Sequence, residues 1–230
     1  MRWFSAVLFD NGNTLFDKAD KAAAVAVLAG ELGVELDAEL AREAWRRVKA
    51  HKHAIADADL VHGRNRSAEG HRRYYVECYA PLDEFAPGLA NLFYERFKTS
   101  ADSMVPYPDT AATLEALDAA DVRVAVVSNT GWNIREGYVR SGLDEYVDAY
   151  VLSHEHGLAK PEPGLFELAC AELGVAPGHT LMVGNNATAD SGAAAIGCTC
   201  CLTSAGRAPK ACLQRVCARM IPGTAQVASA

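Results

Sequence analysis

Ala6-Val7-Leu8-Phe9-Asp10-Asn11-Gly12-Asn13-Thr14-Leu15 joins a short apolar run to an aspartate, an Asn-Gly-Asn turn and a threonine. The run has the length and bulk of a buried strand, and the three turn formers break it. Asp10 is thereby placed at the C-terminal end of a core strand, where open α/β sheets keep their ligands. Taken alone, it reads equally well as a strand-end residue that caps the next turn. Later segments decide between the two.

Further along, apolar runs alternate with helical patterns. Val122 to Val127 enters Ser128-Asn129-Thr130-Gly131, Ala149 to Leu152 forms a third run, Thr180 to Val183 enters Gly184-Asn185-Asn186, and Cys198 to Leu202 forms a fifth. Between them, Asp109 to Ala119, Asn133 to Arg140, Gly164 to Leu173 and Asp190 to Ala195 read as helices. This alternation predicts an α/β fold, a parallel sheet with helices on both faces, over residues 1–15 and 104–230. Residues 16–103 differ. Ala19 to Leu32, Ala38 to His53, Ala68 to Tyr79 and Leu89 to Phe97 are helical in pattern with no strand signal between them, which predicts an all-helical insertion after the first strand. Arg64, Arg66, Arg72 and Arg73 gather there near His62 and His71, either as a solvated helix face or as cations facing an anionic substrate.

Composition narrows the function classes. The chain has 230 residues, half of them hydrophobic, and a formal net charge of −7. Such a balance argues against a nucleic-acid or anionic-membrane surface, while a small anionic substrate in a local pocket remains compatible. No apolar stretch approaches the roughly 18 residues of a membrane span. Met1-Arg2-Trp3-Phe4 runs straight into the first strand, so the expectation is a cytoplasmic protein without a removable signal. Nothing in the sequence specifies an oligomeric state. Of the seven cysteines, Cys198-Thr199-Cys200-Cys201 has C-x-C-C spacing with no histidine nearby, which suits packed thiols in a core strand better than a metal site.

The strand ends make one constellation. Asp10, Ser128 and Asn185 terminate three strands, Asp190 follows Asn185, and Lys160-Pro161 precedes the helix before the fourth strand. Parallel strands open their C-terminal ends on one side. Two carboxylates, a hydroxyl and an ammonium brought together there suit nucleophilic displacement at an anionic substrate. Asp10 attacks and forms a covalent ester or mixed anhydride. Ser128 and nearby backbone N–H groups hold substrate oxygens. Lys160 keeps Asp10 ionised.

In these segments the chain resembles the haloacid dehalogenase superfamily of hydrolases. The resemblance runs through Phe9 to Leu15, Val127 to Thr130, Gly157 to Pro163, Met182 to Asn186, Asp190, Gly192-Ala193 and Gly197. It implies a Rossmann-like core, an all-helical cap inserted after the first motif, and a nucleophile at Asp10. Ser128 and Lys160 map to the supporting catalytic positions. Asn11, Gly12, Asn129 and Thr130 map to substrate contacts, and Asp10, Gly12, Asn185 and Asp190 map to the metal shell. Most members of this arrangement are magnesium-dependent phosphatases of small metabolites. Two departures stand out. The acid that protonates the leaving oxygen in phosphatase members is replaced by Gly12, and a metal-binding acid is replaced by Asn185. Magnesium is therefore expected to bind weakly. The leading expectation is a phosphatase-type hydrolase of a small phosphorylated metabolite. The alternatives are a metal-independent 2-haloacid dehalogenase-type hydrolase, whose halide leaves without a proton, and an inactive or diverted binding protein. His62 and His71 are the first candidates for a substitute acid/base.

Overall fold

The protein is described from a computed structural model covering residues 4–55, 63–203 and Leu213. Its chain divides into two compact units. One comprises residues 1–17, 106–129 and 138–230, and the other residues 18–105 and 130–137.

The first unit is built on a parallel five-stranded sheet. Its strands are β1 (Ala6–Phe9), β4 (Arg123–Ser128), β5 (Ala149–Leu152), β6 (Thr180–Gly184) and β7 (Thr199–Leu202), in the order β5-β4-β1-β6-β7. Central β1 pairs with β4 and β6, so that Phe9 stands beside Val126 and Val183 in register. Every residue of β1 is buried, as expected of a parallel strand covered on both faces. On one face, Ala6, Leu8, Ala125, Val127, Val151 and Met182 pack with Leu165, Phe166, Ala169 and Leu173 of the helix Pro163–Leu173. The other expected helices form over Thr110–Ala119 and Arg135–Arg140. The segment expected as one helix from Asp190 instead has a short turn of helix over Ala187–Asp190 followed by 3₁₀ geometry over Ser191–Ile196. β7 departs from the expected core strand. It lies at the sheet edge, with Thr199 and Leu202 exposed and Cys200 and Cys201 half-buried. Cys78, Cys170 and Cys198 are buried free thiols, whereas Cys212 and Cys217 lie outside the described residues.

Helices dominate the second unit: α1 (Lys21–Glu31), α2 (Ala38–Ala54), α3 (Ala68–Tyr79) and α4 (Leu89–Phe93), the last continuing as a π-helical turn over Tyr94–Lys98. Their starts are written in the sequence, because Asp20, Asp37 and Ser67 each accept hydrogen bonds from first-turn N–H groups. Val25, Leu28, Val48, Tyr74, Leu82, Leu89 and Phe93 form its separate hydrophobic core. The expectation of no strand in residues 16–103 is corrected at the start of that stretch. Two three-residue strands, β2 (Phe16–Lys18) and β3 (Met104–Pro106), pair as a small sheet where the sequence showed no strand signal. Phe16-Asp17-Lys18 is too short and too polar to show a period-2 pattern.

Candidate active site

The turn after β1 is tightly wound. The Asn11 carbonyl accepts the N–H groups of Thr14, Leu15 and Phe16, and the Asp10 N–H donates to the Val183 carbonyl of the neighbouring strand. Asn13 takes the left-handed conformation at φ 59°, which asparagine tolerates better than most side chains. Tyr138 Oη donates to Asn11 Oδ1 at 2.9 Å. Burial, then Tyr150 and Asp10, hold the Tyr138 phenol well above its ordinary range, so it remains a neutral donor.

Lys160 is the centre of the site. Its ammonium donates to Asp10 Oδ1 at 2.6 Å and to Asp190 Oδ1 at 2.7 Å. The Lys160 and Asp190 side chains are buried, and Asp10 retains 14% side-chain exposure. Burial pushes the Asp10 carboxyl up, Lys160 pulls it back and Asp190 pushes it up again, leaving it above the ordinary carboxylate value. Burial alone would lower Lys160, but Asp10 and Asp190 outweigh it and hold the ammonium above the ordinary lysine value. Lys160 is therefore a firmly charged cation between two carboxylates.

Three further features fix that cation. Asn129 Nδ2 donates to the Lys160 carbonyl at 2.9 Å, and the Lys160 N–H donates to Asn129 Oδ1 at 2.8 Å. The Asn186 N–H donates to Asp190 Oδ2 at 2.8 Å, and the Asn186 side chain caps the following turn by accepting from Thr188 and Ala189. A side chain at Gly184 would run into the Asp190 carboxylate, and one at Gly192 into the Pro161 carbonyl. These two glycines let the carboxylate and the lysine segment approach.

The structure thus brings Asp10, Lys160 and Asp190 together, with Asn129 holding Lys160. Ser128 ends β4 and is buried. Asn185 follows β6 and is half-buried. Gly12 forms a bridge with Phe16. Thr130 falls in the helical unit, its hydroxyl bridging Trp132. His71 is buried with Nδ1 2.9 Å from Tyr94 Oη, while His62 lies outside the described residues. Sequence reasoning did not single out Asn186, Gly184 or the Thr14 hydroxyl. That hydroxyl is buried and, among the described residues, has no hydrogen-bond partner.

The sequence profile of haloacid dehalogenase-like hydrolases matches residues 4–197. The chain belongs to that family. It is 30% identical over 207 residues to ribulose-1,5-bisphosphate 5-phosphatase of Halopiger xanaduensis, a match covering 84% of this chain and 82% of the relative. It is 37% identical over 92 residues to (S)-2-haloacid dehalogenase 1 of a Pseudomonas species, covering 40% of each chain. A solved HAD phosphatase from Thermococcus onnurineus shares the fold at a TM-score of 0.61 and 21% identity, over 96% of this chain and 99% of that one. The protein is therefore a hydrolase of this family, and relatives named as phosphatases and as 2-haloacid dehalogenases both stand near it.

Magnesium is the metal that the family resemblance implies. It is held by carboxylate and water oxygens in octahedral geometry. Asp10 and Asp190 are the carboxylates at hand, and both already share the Lys160 ammonium. Gly12 and Asn185 contribute only neutral oxygens, and no group of three or more His, Cys, Asp or Glu side chains suited to a metal occurs among the described residues. These residues fit magnesium poorly. No helix among the described residues is long and apolar enough to cross a membrane.

Proposed function

We propose that this hydrolase uses Asp10 to displace, from a small anionic substrate, a leaving group that departs without a proton, as halide does from a 2-haloacid. One observation carries the reading. Lys160 supplies a single positive charge shared by Asp10 and Asp190, while glycine occupies the position two residues after the nucleophile. Such a site has a charge-compensated nucleophile but lacks the acid that an alkoxide leaving group needs, a contribution typically worth about 10²–10⁴ in rate.

In this reaction the Asp10 oxygen not bonded to Lys160 attacks the carbon that bears the halide. A C–O bond forms, the C–halogen bond breaks, and halide leaves with its electron pair, giving an Asp10 ester. Lys160 stays an ammonium throughout, bound to the ester's carbonyl oxygen. Water then adds to Asp10 Cγ, and loss of one proton releases the hydroxy acid and restores the carboxylate. The Ser128 and Thr14 hydroxyls and the turn N–H groups are the donors available for the substrate's own carboxylate.

A second reading, hydrolysis of small phosphate monoesters through an Asp10 acyl phosphate, is favoured by the phosphatase relative that matches 84% of the chain. There the leaving alkoxide takes its proton from water or substrate. Assays of 2-haloacids and phosphate monoesters, each with and without magnesium, separate the two. Haloacid turnover indifferent to magnesium supports the first reading. Rapid magnesium-dependent phosphatase activity replaces it with the second.

A further inference from the structure

The helical unit carries a cluster of cations that the chemistry at Asp10 does not use. Lys98 Nζ stands 4.2 Å from the centre of the Tyr75 ring, and Lys52 Nζ 5.7 Å from it. Arg64 lies over the adjoining Tyr74 ring at 5.0 Å and donates to Tyr74 Oη at 3.0 Å, and the Tyr74 and Tyr75 rings meet edge to face at 5.0 Å. His71 also packs on Tyr75, with ring centres 4.5 Å apart. These residues come from α2, α3, the turn before α3 and the π-helical turn, so four separate stretches of chain meet around the Tyr74–Tyr75 pair.

Among the described residues, no carboxylate is paired with Lys52, Arg64 or Lys98. Arg47, Arg72 and Arg96 of the same unit behave differently, since each holds a glutamate. Among the described residues, this crowding of positive charge is felt nearby. Lys18, which donates to the Lys98 carbonyl and to Ser103 Oγ, is pushed down to about 6 by burial and then by Lys98 and Lys21. Burial pushes the Tyr75 phenol up, but Lys98, Lys52 and Arg64 together outweigh it and hold the phenol below its ordinary value. A cluster of this kind attracts any small anion and offers it a phenol donor as well as the cations.

We propose that Tyr75, Lys98, Lys52 and Arg64 form an oxyanion-binding site carried wholly by the helical unit, taking a small carboxylate or phosphate. The proposal stands apart from the reading of Asp10. A bound oxyanion takes over the cations that otherwise favour the phenolate, so occupancy raises the pH at which Tyr75 ionises.

The test follows that phenol by its absorbance near 295 nm during alkaline titration of the whole protein, with inorganic phosphate or acetate added at constant ionic strength against chloride. One tyrosine titrating early, and absent from Tyr75→Phe, identifies the signal. Phosphate is expected to move it to higher pH, and Lys98→Met to weaken that response about tenfold, the loss of one charge-assisted contact. Lys52→Met, at an exposed position, serves the same purpose if Lys98→Met does not fold. Lys160→Met should leave the response intact, which separates this site from Asp10. A response to phosphate alone assigns a phosphate ligand, and an equal response to acetate assigns small oxyanions generally. A phenol titration that matches the chloride control with both anions overturns the proposal. So does a response that survives unchanged in Lys98→Met and Lys52→Met, or one that Lys160→Met abolishes.

Discussion

The side-chain amide of Asn129 and the backbone of Lys160 hold each other by two hydrogen bonds, one at each end of the amide. Asn129 lies just beyond the end of β4, and Lys160 lies in the loop before the helix Pro163–Leu173. This clamp ties a loop residue to the sheet and so fixes where the ammonium stands between Asp10 and Asp190. The resemblance implies a substrate contact at Asn129; its amide also holds Lys160, and we propose a positioning role for it.

Asn129→Ala removes both bonds and leaves the Lys160 N–H and carbonyl without their partners. At about 1 kcal/mol per hydrogen bond, stability should fall by about 2 kcal/mol. Turnover should fall more than substrate affinity, and the acid limb of the pH–rate profile should move as Lys160 loses its fixed place. Chemical denaturation and pH-dependent kinetics measure the two effects. A stability loss with an unmoved pH profile would assign Asn129 a structural role only.

Removal of the cation is harsher. Lys160→Met leaves Asp10 and Asp190 together without a counter-charge, and breaking a buried pair from one side costs about 3–5 kcal/mol. Asp10 already sits above its ordinary value of 3.8. Activity that needs its ionised form should thus fade, as pH drops, at a higher pH than an ordinary carboxylate would give. In Lys160→Met that limb should move higher still. The sign for stability follows from the raised folded values. The Lys160 contribution is complete below 10.5 and is lost as pH rises through its higher folded value. The Asp10 contribution is present below 3.8 and lost as pH rises through its raised value. Asp10→Asn should therefore fold at neutral pH with little loss of stability, and a large fall in its melting temperature would contradict this.

Gly192 and Gly184 make space rather than flexibility. Gly192→Ala presses a methyl group on the Pro161 carbonyl, and Gly184→Ala presses one on the Asp190 carboxylate. Each should cost about 1–3 kcal/mol, the usual range for overpacking, and should lower turnover by displacing Lys160 or Asp190. Denaturation and kinetics on both variants check this. Unchanged turnover in both would show that the placement of these two groups tolerates shifts.

Much of this arrangement is legible in the sequence because it is local or periodic. The buried run Ala6–Phe9 and the helix Ala68–Tyr79 carry their own hydrophobic patterns, and Asp20, Asp37 and Ser67 announce their helices. Asp10, Lys160 and Asp190 are legible because parallel strands open on one side, so residues far apart in sequence meet at a single edge. The Asn129 clamp is not, because it joins residues 31 positions apart through a side-chain amide that signals only a turn. The β2–β3 pair is hidden for want of length. The assignment of Thr130–Gly137 to the helical unit depends on contacts such as that of Gly131 with His71, where any side chain would strike the imidazole, and no periodicity records it.

The central claim is the covalent role of Asp10. A single turnover of a 2-haloacid with enzyme in excess, run in ¹⁸O-labelled water, tests it most directly. Attack of water on the ester carbonyl places the label in the Asp10 carboxylate, so mass spectrometry should find ¹⁸O in the peptide containing Asp10 and in no other, with none in the first-turnover product. Asp10→Asn should neither turn over nor take up label. Label found only in the product, with the Asp10 peptide unlabelled, would contradict the account.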